Sequence, residues 1–157
     1  MAMSQTEQEF HRKVAVECFN KTWDYLEKKE RTLSDEQTML SLAHSSCYHW
    51  SFVGKARNFA IGDWQISRVY SALKQPDLAI TFAKTSLGTC RENNLSGWLL
   101  ASAYEGMARA YVATEDYRLA REYVYKARQQ LRSKLVDKED MKTVSDQIDE
   151  TEHMTKE

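Results

Sequence analysis

The chain has 157 residues, 42% of them hydrophobic, and its 22 basic side chains nearly balance 23 acidic ones for a net charge of −1. Because nucleic-acid affinity rests largely on clustered Lys and Arg, this balance argues against a nucleic-acid partner. Five Gly and one Pro are too few for a loop-rich or all-β protein, and the remaining composition favours helix.

The cysteines and the N-terminal residues indicate a compartment. Cys18, Cys47 and Cys90 are scattered and odd in number, which does not describe a disulfide framework. The first residues, MAMSQTEQEF, lack the pattern of a signal peptide, and no run of about 18 apolar residues occurs. We therefore expect a cytoplasmic protein with no membrane partner.

Two helices are predicted in the N-terminal third. From about Thr6 to Glu30, apolar residues recur every three or four positions, the period of one helical face. Thr32 or Ser34 then caps a second helix that fades near Gly54. This pair, residues 6–57, is interpreted as a degenerate repeat or an N-terminal cap.

Four further helices are predicted in the middle of the chain, followed by a last one. Pro76 suits a first helical turn, because the missing amide has no helical partner there. The four run from Asn58 to Lys74, from Pro76 to about Glu92, from Ser96 or Gly97 to Ala113, and from Tyr117 to about Ser133. Asp137 opens the last helix, which carries one apolar stripe, and residues 152–157 are expected to fray.

The stretch from Gly62 to Ser86 recurs as Ala103 to Ala127 when it is shifted by 41 residues. The shift places Arg68 on Arg109, and small residues fall on small residues where helices must approach closely. A repeat of this length indicates stacked helix pairs, so we predict an all-α fold of about seven helices in antiparallel pairs. One domain is expected, with repeats at 58–94 and 96–133 and a capping helix at 137–152.

The repeat resembles the tetratricopeptide repeat. The residues that fit its spacing in the second copy are Tyr104, Met107, Ala108, Tyr111, Ala120, Val124 and Ala127. The period of 41 exceeds the usual value of about 34, and the closing proline is absent from both copies. The motifs HSSCYHW and GDWQISRVY are also similar to those of other helical proteins. The resemblance implies a short right-handed solenoid in which the first helix of each pair lines a concave surface.

By this resemblance, Arg68 and Arg109 face the concave surface, with Trp64 and Glu105 one turn earlier and Tyr104 beside them. Two guanidiniums near an aromatic ring suit a carboxylate or phosphate, such as a peptide terminus or an acidic side chain. The alternative is that Glu105 and Arg109, four residues apart, simply pair with each other on a solvated helix.

A second group of polar residues suggests a small-molecule pocket near Arg68, with Asp63 as a further polar neighbour. Its predicted members are His44, Tyr48, His49, Asn58 and Gln65. The alternative treats His44 as a hydrogen-bonded core histidine and Asp63 as a helix cap. One helix cannot direct the histidines of HSSCYHW at a single ion, so we predict no metal.

No phosphate loop, G-x-S-x-G, H-E-x-x-H or C-x-x-C motif occurs, so we expect neither a cofactor nor catalytic residues. The preferred function is a non-catalytic module that binds a protein or peptide segment with acidic groups. A small-molecule-binding protein or enzyme is the second hypothesis, and a structural, self-associating scaffold is the third.

Overall fold

The computed structural model describes residues 2–133 and 138–156, and Asp137 lies outside them. Seven helices occupy these ranges: α1 (Gln5–Leu26), α2 (Leu33–Val53), α3 (Ala56–Ala72), α4 (Pro76–Glu92), α5 (Trp98–Ala113), α6 (Tyr117–Arg132) and α7 (Lys138–Met154). The same ranges hold no strand, which confirms the all-α prediction. None of the described helices is both long and apolar enough to cross a membrane.

Neighbouring helices pack in pairs. The most extensive contacts join α1 to α2, α3 to α4 and α5 to α6. The first helices of successive pairs also meet, because α1 contacts α3, α3 contacts α5 and α5 contacts α7. Each second helix packs on the first helix of the next pair, as α4 does on α5. The architecture is therefore one of repeated helix pairs.

Local sequence signals set the helix starts. The Thr32 hydroxyl accepts a hydrogen bond from the amide of Asp35 at 3.1 Å, and the Asp35 carboxylate accepts one from the amide of Thr32 at 3.0 Å. This reciprocal capping selects Thr32 over Ser34 as the cap of α2. In α3 the Asn58 side chain accepts the amide of Lys55 at 3.0 Å, so the helix starts earlier than the predicted Asn58.

The repeat is visible in the turn inside each pair. Lys74 and Glu115, 41 positions apart, both adopt the left-handed conformation, with φ of 55° and 62°. In each copy the next amide donates to an equivalent carbonyl, that of Tyr70 at 2.9 Å and that of Tyr111 at 3.1 Å. Both first helices of the repeat therefore end in the same hydrogen-bonded turn.

The last helix follows the same spacing. Residues buried in α5, namely Ala103, Met107 and Ala110, are followed 41 positions later by buried Val144, Ile148 and Thr151 of α7. In this register α7 takes the position of the first helix of a third pair. It continues to Met154, and Thr155 is buried at 4% exposure, so the expectation of a frayed tail from residue 152 is wrong.

Candidate functional site

A buried carboxylate lies at the centre of the layer formed by α3, α5 and α7. Glu105 of α5 is 1% exposed and accepts three hydrogen bonds from side chains. The donors are the Trp64 indole Nε1 at 2.9 Å, Arg109 Nε at 2.8 Å and the Thr151 hydroxyl at 2.8 Å. Glu105 thereby links α3, α5 and α7.

The two repeat-equivalent arginines meet at this carboxylate and share a second one. Glu150 of α7 accepts from Arg68 Nη2 at 3.3 Å and from Arg109 Nη2 at 3.2 Å. The Arg68 guanidinium also lies over the rings of Trp23 and Trp64, at 5.1 and 6.0 Å from their centroids. We call the group formed by Trp64, Arg68, Glu105, Arg109 and Glu150 the central cluster.

The charges of the central cluster shift each other's ionisation. Burial alone would raise the pKa of Glu105, but the adjacent Arg109 and Arg68 guanidiniums outweigh it and hold that pKa below its ordinary value. Burial lowers the pKa of Arg68, and the positive charge of Arg109 lowers it further. Arg68 is therefore less fully neutralised by its surroundings than Arg109, whose pKa is raised by Glu105 and Glu150 despite burial.

Four of the five residues predicted to lie on the concave surface come together in this cluster, but they are largely buried. The side chains of Arg68 and Arg109 are only 13% and 10% exposed, because α7 covers them. The Glu105–Arg109 pair expected on a solvated helix does form, and it is buried. Tyr104 lies elsewhere, with its ring 6.2 Å from that of Tyr123.

The predicted pocket residues of α2 are dispersed. His44 Nε2 hydrogen-bonds the Tyr70 hydroxyl at 3.1 Å, and burial lowers the pKa of His44. Tyr48 is 62% exposed on the outer surface. His49 Nδ1 lies 2.9 Å from His11 Nδ1, and burial followed by the charge of His11 lowers the pKa of His49.

The predicted pocket residues of α3 have structural partners. Asn58 occupies the first turn of α3, as described above, and Gln65 is buried with its amide donating to the Phe19 carbonyl at 2.9 Å. Asp63 lies inside α3, so its expected role as a helix cap is wrong. No three His, Cys, Asp or Glu side chains are grouped as a metal site within residues 2–133 and 138–156.

Replacing Asp63 with asparagine is expected to stabilise the protein at pH 7. Burial raises the pKa of Asp63 from 3.8 to about 6, so the folded chain binds this proton more tightly than the unfolded chain does. Ionisation therefore opposes folding fully above about pH 6, and the effect vanishes below pH 3.8. Allowing for solvent screening, we expect a gain of about 1 kcal/mol at pH 7 and none near pH 3.5 in urea unfolding. An equal gain at both pH values would contradict this origin.

A cavity of about 450 Å³ opens beside Trp64. Its walls come from α1, α3, α4, α5 and α7, and its aromatic lining consists of Phe19, Trp23, Trp64 and Trp98. The charged residues of this lining within the described ranges are Glu27 and Asp140, and both are acidic. We call this space the tryptophan cavity. In the sequence, Trp23 is one of the apolar residues that recur between Thr6 and Glu30, and no motif marks Trp98.

The fold and these sites define a protein of paired, repeat-like helices with a cavity and a buried charge cluster along its first helices. No family model matches the chain, and neither curated proteins nor solved structures give a match. The tetratricopeptide resemblance stays a prediction.

Proposed function

We propose that the protein is a non-catalytic binding protein that holds a small organic cation with an apolar body in the tryptophan cavity. The observation that supports this proposal is the cavity itself. Its volume of about 450 Å³ lies within the range typical of ligand sites, and its lining is mostly apolar with a few polar groups. Among the polar lining residues, Ser102, Thr143 and Gln147 offer hydrogen bonds for orientation.

The charge of the lining favours a cation. Glu27 and Asp140 place two carboxylates at the cavity, and none of its lining residues in the described part of the chain is basic. Indole faces attract cations better than other aromatic rings do, and three indoles are present. An amine with an aromatic or alkyl body would match both features, whereas a carboxylic acid of the same shape would meet like charge.

A titration with a matched pair of probes tests the proposal. We expect 2-phenylethylamine to change the tryptophan fluorescence and 3-phenylpropionate to bind more weakly. Trp50, the tryptophan outside the cavity, is replaced by Phe to remove its background. The variants Glu27→Gln and Asp140→Asn should each weaken amine binding about fivefold, the effect of one nearby charge in water.

The control is Asp146→Asn, since Asp146 also lies on α7 but pairs with Lys142 at the surface and does not line the cavity. It should leave amine binding unchanged. Equal binding of the amine and the acid, or equal losses in Asp140→Asn and Asp146→Asn, would overturn the assignment to an organic cation.

A second candidate is the module that binds an acidic segment of a partner protein. It is favoured by the way Arg68 and Arg109 jointly hold the Glu150 carboxylate, which a helix presents to them. A partner helix with the same chemistry would have to replace α7. In the same titration such a peptide, with the sequence of residues 139–156, would then lower amine affinity, because α7 forms one cavity wall.

A reducing cytoplasm suits either candidate, because Cys18, Cys47 and Cys90 are all free thiols. Nucleic acid and membranes are not proposed as partners. Self-association is retained as a further hypothesis, since exposed aromatic side chains such as Phe10, Tyr48 and Tyr125 lie on the surface.

A further inference from the structure

A second pocket, with a different set of lining residues, lies against the central cluster. It has a volume of about 270 Å³ and shares no lining residue with the tryptophan cavity. Its polar lining residues are Arg31, Arg68, Ser71, Arg109 and Glu150. We call it the arginine pocket. These polar lining residues come from the α1–α2 connection, α3, α5 and α7.

The buried polar atoms that lack a hydrogen bond in the described residues belong to residues that line the arginine pocket. Within residues 2–133 and 138–156, three buried side-chain nitrogens or oxygens make no hydrogen bond: Arg31 Nε, Arg68 Nη1 and Ser71 Oγ. All three belong to residues that line this pocket. More than about 90% of buried polar groups in proteins are hydrogen-bonded, so three exceptions in one pocket indicate a missing acceptor.

The remaining contacts of the arginines hold them in place. Arg31 Nη1 donates to the carbonyls of Tyr25 and Leu26, at 3.3 and 3.5 Å, at the end of α1. Arg109 is fixed by Glu105, as described above. Arg68 Nη1 lies 3.8 Å from the nearest Glu105 oxygen, which is too far for a hydrogen bond. The unused donors therefore belong to side chains that are already oriented.

The excess of positive over negative side chains around the pocket also favours an anion as its ligand. Arg68 and Arg109 pair with the carboxylates of Glu105 and Glu150. Arg31, the third guanidinium of the lining, donates to uncharged backbone carbonyls, so one positive charge is left over. Guanidinium groups have donors and no acceptor, so the group that completes them must accept hydrogen bonds. Arg31 is half-buried, and removing a charge from water is costly unless the charge is paired.

We infer that the arginine pocket binds a tetrahedral oxyanion, phosphate or the phosphoryl group of a small molecule. Its donors come from separate structural elements, and a tetrahedral anion can present an oxygen to each of them outside a single plane. A planar carboxylate offers two oxygens, and Glu150 already supplies one such group at the pocket wall. Arginine forks and a hydroxyl are a common set of donors for phosphate.

Calorimetric titration of the full chain at constant ionic strength tests this inference. The probes are inorganic phosphate, glycerol 2-phosphate and acetate. We expect binding of phosphate, of the ester or of both, and at least tenfold weaker binding of acetate. Tighter binding of inorganic phosphate would identify the free ion as the source, and tighter binding of the ester would identify a phosphoryl compound. Absence of binding by both phosphorus compounds, or equal binding of acetate, would overturn the inference.

Single substitutions distinguish phosphate binding in a defined pocket from non-specific attraction to positive charge on the protein surface. Ser71→Ala and Arg31→Gln should each weaken phosphate binding about tenfold, the effect of losing one hydrogen bond to a charged group. Arg118→Gln is the charge-matched control, since Arg118 is 70% exposed and pairs with Glu122 on α6. It should bind phosphate as the unchanged protein does, and a loss as large as that of Arg31→Gln would contradict a defined pocket.

Glu150→Gln is expected to change phosphate affinity in the opposite direction. It removes the negative charge at the pocket wall, so phosphate affinity should rise several-fold, whereas damage to the fold would lower it. Ser71→Ala should also leave the unliganded protein as stable as before, because its hydroxyl has no hydrogen-bond partner among the described residues. Reduced affinity in Glu150→Gln would count against the proposal. This outcome is independent of the tryptophan cavity, whose lining contains none of these residues.

Discussion

Replacing Glu105 with glutamine is expected to lower the free energy of unfolding by about 3–5 kcal/mol, the usual effect of removing one partner from a buried ion pair. Glu105 is 1% exposed, and three side-chain donors are directed at its two oxygens. Glutamine preserves the shape but removes the charge that Arg109 and Arg68 face. Urea unfolding followed by circular dichroism measures the change.

The control for this substitution is Glu122→Gln. Glu122 pairs with Arg118 at 2.7 Å, but its side chain is 51% exposed, so the expected loss is only about 0–1 kcal/mol. Thr151→Val tests the network, since Thr151 donates to Glu105 at 2.8 Å. The double variant Glu105→Gln with Thr151→Val should lose less than the sum of the two single losses. Full additivity, or a loss in Glu105→Gln as small as that in Glu122→Gln, would contradict a cooperative buried cluster.

Acid should reproduce part of this effect. The arginines hold the pKa of Glu105 below its ordinary 4.5, despite burial, so the folded state binds this proton less tightly than the unfolded state. The stability contributed by Glu105 is therefore complete above pH 4.5 and is lost as pH falls through the lowered pKa. Asp63 has the opposite sign, since its raised pKa favours the folded state at low pH.

The meeting of Arg68 and Arg109 could be predicted from the sequence because equivalent positions of stacked repeats lie side by side. Their shared partner Glu150 could not, although it lies 41 positions after Arg109, the spacing that separates Arg109 from Arg68. An internal repeat is recognised by similar residues. At this position α7 carries an acidic residue, whereas α3 and α5 carry arginines. The three residues are therefore related by opposite charge and not by similarity. Only the packing of α7 on α5 makes this visible.

The tryptophan cavity could not be predicted from the sequence for a different reason. Trp23, Trp64 and Trp98 come from three helices, and each fits an apolar position of its own helix. Periodicity predicts which face of a helix is buried, but a void depends on how the faces of several helices fit together. The predicted pocket failed to assemble for the converse reason: Tyr48 and His49 lie on faces of α2 that point away from α3.

Replacing Gly106 with alanine is expected to destabilise the protein by about 1–3 kcal/mol, although alanine normally favours a helix interior by about 0.5–1 kcal/mol over glycine. A Cβ at Gly106 would lie 2.8 Å from Cδ1 of Trp64. The indole cannot move away freely, because it is buried and its Nε1 donates to Glu105. Alanine would therefore press on the central cluster through Trp64. Thermal and urea unfolding measure the loss.

Gly88 of α4 is the matched control, since a Cβ there meets no atom within 4 Å. Gly88→Ala should stabilise the protein by about 0.5–1 kcal/mol, the ordinary gain of alanine in a helix. The two substitutions are chemically identical, so an opposite sign isolates the contact of α5 with Trp64. Stabilisation by Gly106→Ala would contradict this prediction. It would mean that α3 and α5 can separate freely, and that the Trp64–Glu105 hydrogen bond does not hold these helices close together.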